Sequence, residues 1–241
     1  MAHRFFSDRP IVGAVARLGG AEAHHLLHVI RATTGSRVVL FDGSGDEFTA
    51  EITELGRSEA VLAITGRTTV DRELPFQLLL AVALPKGDRQ RWLVEKAVEL
   101  GIRRLVPLVT ARGVAQPGDS TIQRLQRAVI EASKQSGRNR LMEISAAQEW
   151  AHFAKSCQHA QTRLIAHPSG GPPASRVRIQ PGPGPIAVAV GPEGGFSDEE
   201  IEIADHCGWR RVDLGPRILR VETAALAMAT LVSLAAGSPD A

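Results

Sequence analysis

The sequence predicts an α/β fold with a parallel sheet, preceded by a smaller β-rich domain. Two observations carry the α/β part. Gln77–Leu84 (QLLLAVAL) is an unbroken apolar run, the pattern of a strand covered on both faces. Helical spacing over 88–100 and a second apolar strand over 105–109 follow it, which together make a βαβ unit. A third observation separates the amino-terminal part, where short β-branched runs alternate with clusters of Gly, Asp and Ser. With 241 residues, 44% hydrophobic and 22% charged, the chain can bury one substantial core and a small second one. The turn-rich stretch Thr68–Leu74 (TTVDREL) before Pro75 sets the boundary, giving domains at 1–71 and 72–241.

In the first domain, Glu22–Ile30 has helical spacing at Ala23, Leu26, Leu27 and Ile30. Arg37–Phe41 and Glu47–Ile52 flank the turn residues Asp42–Asp46 and read as a hairpin, and Val61–Thr65 as a further strand. In the second, Gly101 stops the first helix. A second helix over Thr121–Gln135 faces inward with Ile122, Leu125, Val129 and Ala132, leaving Arg124, Arg127 and Lys134 on a basic outer face. Strands follow at Thr162–Ala166, Ile186–Val190 and Arg211–Leu214, and Pro168–Pro185 is too rich in proline and glycine for a packed element. The last helix, Glu222–Ala236, is apolar nearly all round, so most of its surface must be covered.

Charge narrows the function classes. Residues 86–140 hold 12 basic against 5 acidic groups, whereas 1–71 and 141–241 are slightly acidic. Arginine outnumbers lysine 24 to 4, and its planar fork suits phosphates and bases. Such clustering points to a polyanion. The longest apolar run, Ala224–Ala236, is too short to span a bilayer, and the start MAHRFFSDRP has no secretory apolar stretch. Cys157 and Cys207, fifty residues apart, form neither a disulfide framework nor a zinc spacing. A reducing cytoplasm is the expected compartment.

Two loops stand out. The strand ending at Val190 runs into Gly191-Pro192-Glu193-Gly194-Gly195-Phe196, and Ser197 with Glu200 forms a capping box for the next helix. Glycines there let a backbone approach a ligand at the usual binding edge of an α/β sheet. The run does not fit the P-loop pattern, and G-x-G-x-x-G occurs nowhere in the chain. A second loop, Leu214–Thr223 (LGPRILRVET), follows the next strand in the same way.

GPEGGFSDEE and DLGPRILRVETAAL, with LPKGDRQRWLVEKAVELGI, EASKQSGRNR and HHLLHVIRATTGSRVVLFDG upstream, resemble the RsmE family over nearly the whole chain. These are bacterial 16S ribosomal RNA (uracil-N3)-methyltransferases of the SPOUT superfamily. The resemblance implies a PUA-like, RNA-binding β-barrel domain, a trefoil-knotted methyltransferase domain, and a homodimer. It implies a pocket for S-adenosylmethionine built from Ala166 and His167, from Gly191, Pro192, Glu193 and Gly194, and from Leu214, Gly215, Ile218, Leu219, Arg220 and Thr223, with Gly191 and Gly215 leaving room for the cofactor. No metal is required. His167 is read as bordering this pocket, and Glu193 as an orienting group. Val221 departs from the threonine of many members.

Uracil N3 carries a proton and is a poor nucleophile until it leaves, so the site must generate or stabilise a uridinate and align it with the methyl donor. Arg220, and Arg138 with Asn139, are the candidates beside the uracil; Glu222 is the candidate base or orienter, or else a helix-start acid. Arg4 and Arg31 match basic positions of the first domain and join Arg124, Arg127, Lys134 and Arg138 as expected RNA contacts. Phe5 and Phe6 are read as core or as base-stacking residues. His24 and His28 lie one helical turn apart, but no third ligand accompanies them, so packing or RNA contact is preferred to zinc. The alternatives are a SPOUT enzyme acting on another RNA position such as a ribose 2′-hydroxyl, and a non-catalytic ribosome-assembly factor.

Overall fold

A computed structural model describes residues 3–113, 118–168, 170–179, 182 and 184–236. The chain divides into two compact units, Met1–Arg72 with Ser133–Leu141, and Glu73–Ala132 with Met142–Ala241. The first thus takes in a short segment that the division at 71/72 assigns to the second.

The first unit is built on strands β1 (Arg4–Phe6), β2 (Val15–Gly19), β3 (Arg37–Phe41), β4 (Asp46–Leu55) and β5 (Glu59–Thr69), in the order β1-β3-β4-β5-β2. Only β1 and β3 run parallel. The β3–β4 hairpin forms as predicted. Its turn is closed by Asp42, whose Oδ1 accepts from the Ser44 backbone N–H at 3.1 Å and whose Oδ2 accepts from that of Ile11 at 2.8 Å. These bonds outweigh burial and hold the Asp42 carboxyl below its ordinary range. β5 runs past the predicted Thr65, because Thr68 and Thr69 pair with Glu47 and Asp46. The long partner strand therefore extends β5 into what reads as linker.

The helix expected over 22–30 is instead a short α1 (Gly20–His24) that widens into a π turn over His25–Val29, with the Ile30 N–H donating to the His25 carbonyl at 3.0 Å. Arg31, at φ +55°, stops it in the left-handed region. Phe5, Leu18, Leu26, Leu40, Ile52 and Leu62 fill this unit's core. Phe5 is therefore core and not a stacking surface.

The second unit contains β6 (Leu78–Val82), α2 (Arg89–Glu99), β7 (Arg104–Val109), α3 (Asp119–Ser136), β8 (Glu143–Ile144), β9 (Gln148–Glu149), α4 (Trp150–Ser156), β10 (Thr162–Ala166), β11 (Ile186–Val190), α5 (Asp198–His206), β12 (Arg210–Val212) and α6 (Val221–Ala236). The last residues of α3, from Ser133, belong to the first unit. Every strand pairing is parallel, in the order β12-β10-β11-β6-β7-β8, with β9 also on β7. Parallel pairing puts all carboxyl ends on one edge, where the loops after β6, β7, β10, β11 and β12 gather.

Helices cover the sheet's two faces. α2 packs on α6, which also touches β6 and β11. On the other face Trp150, Phe153, Phe196 and Trp209 form an aromatic cluster over Leu79, Ala81, Ala187 and Ala189. The Trp150 indole N–H donates to the Glu200 carbonyl at 2.8 Å, satisfying its polar handle inside that cluster. Among its described residues the 168–185 stretch has one 3₁₀ turn, Ala174–Arg176, and one bridge, Pro173 to Asp213.

Candidate functional site

The GPEGG loop leaves β11 with Gly191 and Pro192 buried and Glu193 and Gly194 exposed. A Cβ on Gly191 would meet the Phe196 ring at 2.9 Å, so Phe196 leaves no room for a side chain at this position. Gly195, at φ +70°, closes the turn. The Ser197–Glu200 capping box forms, with the Glu200 N–H donating to Ser197 Oγ at 3.2 Å and the Ser197 N–H to Glu200 Oε2 at 2.8 Å. Glu200 Oε1 also accepts from the Ala111 N–H at 2.8 Å, and Arg112 donates to the Gly194 carbonyl at 2.9 Å. The loop after β7 thus fastens the GPEGG loop from one side.

The last loop turns at Gly215, whose φ of +102° calls for glycine and whose N–H donates to Asp213 Oδ1 at 2.8 Å. Leu214 and Leu219 are half-buried, and Ile218, Arg220 and Thr223 are exposed. Among the described residues no hydrogen bond takes up the backbone N–H of Ile218 or Leu219. Ala166 ends β10 beside Val212, and the His167 N–H donates to the Val212 carbonyl at 3.0 Å. Val221 is fully buried, an environment that accommodates its departure from threonine.

Glu222, in the first turn of α6, is 6% exposed, and its Oε2 has no hydrogen-bond partner. Arg89, the first residue of α2, stands 3.5 Å from that oxygen and 3.6 Å from Glu193 Oε1. One guanidinium therefore brings together two of the predicted site residues, one from each loop. Sequence reasoning missed Arg89 and Arg112. Both follow strands of the same parallel sheet, and the rule that sites lie beyond carboxyl ends would have found them.

The first unit holds the other candidates differently. Arg4 donates to Glu47 at 2.6 Å and to Asn139 Oδ1 at 2.7 Å; Arg72 donates to Glu47 at 2.7 Å and to the Gly137 carbonyl at 2.8 Å. Asn139 Nδ2 donates to the Val70 carbonyl at 3.2 Å, so both ends of its amide are committed. Arg138 and Asn139 are each 2% exposed. Lys134, expected on a basic outer face, is buried, ion-paired to Glu22 at 3.0 Å and set over the Phe5 ring. Its position in the last turn of α3, beyond the point where that helix joins the first unit, explains the difference. Arg31 is exposed, as are Arg124 and Arg127 in the second unit, where Arg124 donates to Gln90 at 3.2 Å. His24 and His28 stack at 4.6 Å. Among the described residues no three His, Cys, Asp or Glu side chains come together as a metal site, and no helix is long and apolar enough to cross a membrane.

Comparison with known families finds two matching domains. Residues 72–233 match an RNA methyltransferase domain and residues 18–65 an RNA methyltransferase PUA domain. A two-domain RNA methyltransferase is the class that these matches define. The ribosomal RNA small subunit methyltransferase E of Synechocystis is 33% identical over 231 residues, which is 93% of this chain and 75% of the relative; that of Bacillus subtilis is 27% identical, covering 89% and 88%. Two solved structures superpose closely. The methyltransferase E of Neisseria gonorrhoeae, bound to S-adenosylmethionine, has a TM-score of 0.87 at 30% identity, and a Legionella pneumophila protein with its cofactor S-adenosylmethionine has 0.89 at 30%, each over 97% of this chain and 98% of the other. The chain belongs to the ribosomal RNA small subunit methyltransferase E family.

Proposed function

We propose that the protein transfers a methyl group from S-adenosylmethionine to N3 of a uridine in 16S rRNA of the small ribosomal subunit. The observation that carries this reading is the buried Glu222 Oε2 at the head of α6, which has no hydrogen bond and only the Arg89 ion pair at 3.5 Å, between two glycine-containing loops on one sheet edge. Those loops offer unpaired backbone N–H groups and a carboxylate oxygen without a hydrogen bond, a set that suits a nucleoside cofactor carrying hydroxyl, amino and carboxyl groups. The residues present therefore fit the cofactor.

Ala166, His167, Gly191, Pro192, Glu193, Gly194, Leu214, Gly215, Ile218, Leu219, Arg220 and Thr223 form the cofactor pocket in this reading. S-adenosylmethionine, when bound, supplies an electrophilic methyl group on a sulfonium. Glu222 Oε2 accepts the N3 proton of the target uracil, and its burial keeps water from competing for that role. Arg220, exposed on the same loop, stabilises the negative charge left on the uracil carbonyls. Arg31, Arg124 and Arg127 contact RNA phosphates from exposed positions. Arg4, Lys134, Arg138 and Asn139 act as structural ties, which is what their bonds and burial support.

The reading includes a cytoplasmic homodimer, domains at 1–71 and 72–241, and the trefoil-knotted path of the family. Its test is methyl transfer from labelled S-adenosylmethionine to unmodified small ribosomal subunits, followed by digestion and mass spectrometry. Labelled 3-methyluridine is expected. A 2′-O-methyl nucleoside would overturn the target, and no labelled nucleoside would replace the enzyme by a binding factor.

A further inference from the structure

Arg89 is an unusual choice for its place. It is the first residue of α2, where the helix dipole disfavours a cation, and Asp88 before it makes no side-chain cap. It is one-third exposed, and at 3.5 and 3.6 Å it is within ion-pair range of Glu222 and Glu193 without a hydrogen bond to either. A helix start normally selects Asp, Glu, Ser or Thr, so local stability does not account for an arginine here. What it does achieve is a link between two loops that, among the described residues, share no other ion pair: Glu193 lies in the GPEGG loop after β11, and Glu222 heads α6 after the β12 loop.

We infer that Arg89 is a positioning residue that ties the GPEGG loop to the head of α6 and aims the Glu222 carboxylate into the site between them. This rests on the proposed function for what the site does, but the tie itself concerns only residues of the second unit. Lysine, a single point charge, can approach one carboxylate closely but cannot span both as a planar fork does.

The decisive experiment compares the intact protein with Arg89→Met, Arg89→Lys, Glu193→Gln and the Arg89→Met/Glu193→Gln double variant. Three quantities are read: thermal melting of the cofactor-free protein, S-adenosylmethionine affinity by calorimetry, and methyl transfer to small subunits at saturating cofactor. Arg89→Met should lower kcat about 100-fold, the scale of a misplaced catalytic group, with the KM for subunits and the melting temperature unchanged. Arg89→Lys should recover part of kcat. In cofactor affinity the losses of Arg89→Met and Glu193→Gln should be non-additive. Wild-type kcat in Arg89→Met, an equal fall in melting temperature, no recovery with lysine, or additive losses would each overturn the assignment. If the wild-type protein methylates no subunit RNA, the proposed function fails alone, and the affinity cycle still decides for or against the tie.

Discussion

Two arginine–carboxylate clusters, one in each unit, use the same groups to opposite ends. In the first unit Glu47 is held by Arg4 at 2.6 Å and Arg72 at 2.7 Å, and the terminal guanidinium donors also reach Gly137 and Asn139, while Arg4 Nε is buried without a hydrogen bond. In the second unit Arg89 stays 3.5 and 3.6 Å from Glu222 and Glu193, and Glu222 Oε2 is buried without a hydrogen bond. Short, charge-assisted hydrogen bonds to both arginines make the first cluster a fixed structural knit. Unsaturated partners leave the second costly to maintain in the free protein, and that cost is recovered only if a ligand supplies the missing donor.

Breaking each cluster should therefore separate stability from activity. The largest effect is expected for Glu222→Gln: transfer falling about 1000-fold, in the range of general-base loss, while melting temperature holds or rises because a buried charge has gone. Steady-state transfer and calorimetry on the same sample check both halves. Arg4→Met should do the reverse, lowering stability by about 2 kcal/mol through lost charge-assisted hydrogen bonds, with S-adenosylmethionine affinity unchanged; urea titration beside calorimetry would show it. Gly191→Ala should cost about 1–2 kcal/mol by driving the new methyl into Phe196. A wild-type denaturation midpoint would show that Phe196 moves aside freely.

The smallest effect is in acid. Burial alone would raise the Glu47 carboxyl, but the hydrogen bonds from Arg72 and Arg4 outweigh it and hold the group below its ordinary 4.5. A carboxyl depressed in the folded state stabilises fully above its unfolded value, and that contribution is lost as pH falls below 4.5 through the folded value. Arg4→Met should flatten this part of the stability profile, measurable as denaturation midpoint against pH.

Much of the fold was legible because its signals are periodic. β10 and β11 lie at the predicted residues, α2 and β7 within one residue of prediction at either end, and the Ser197 cap closes the box its spacing announces. The misses have physical causes. β1, β2 and β9 are three, five and two residues long and become strands only through partners far along the chain. α4 is seven residues held by an aromatic cluster that no local pattern reveals. At the site, the glycine loops and Glu222 were visible as loop and helix-start chemistry. Arg89 was not, since its meaning depends on two carboxylates more than a hundred residues away. Lys134 misled for the same reason, its partner Glu22 being 112 residues distant.

The end of α3 and the residues after it have a consequence for how such a protein can be taken apart. Ser133–Leu141 interrupt the sequence of one unit while completing the other. An RNA-binding domain excised at residue 71 would lack the lysine that neutralises Glu22 and the asparagine that receives Arg4. The remaining chain would in turn carry Lys134, Arg138 and Asn139 stripped of their cover. The amino-terminal domain is therefore no interchangeable cassette: recombination that swaps it between relatives must bring along the distant nine-residue insert, or leave both halves with mismatched polar surfaces.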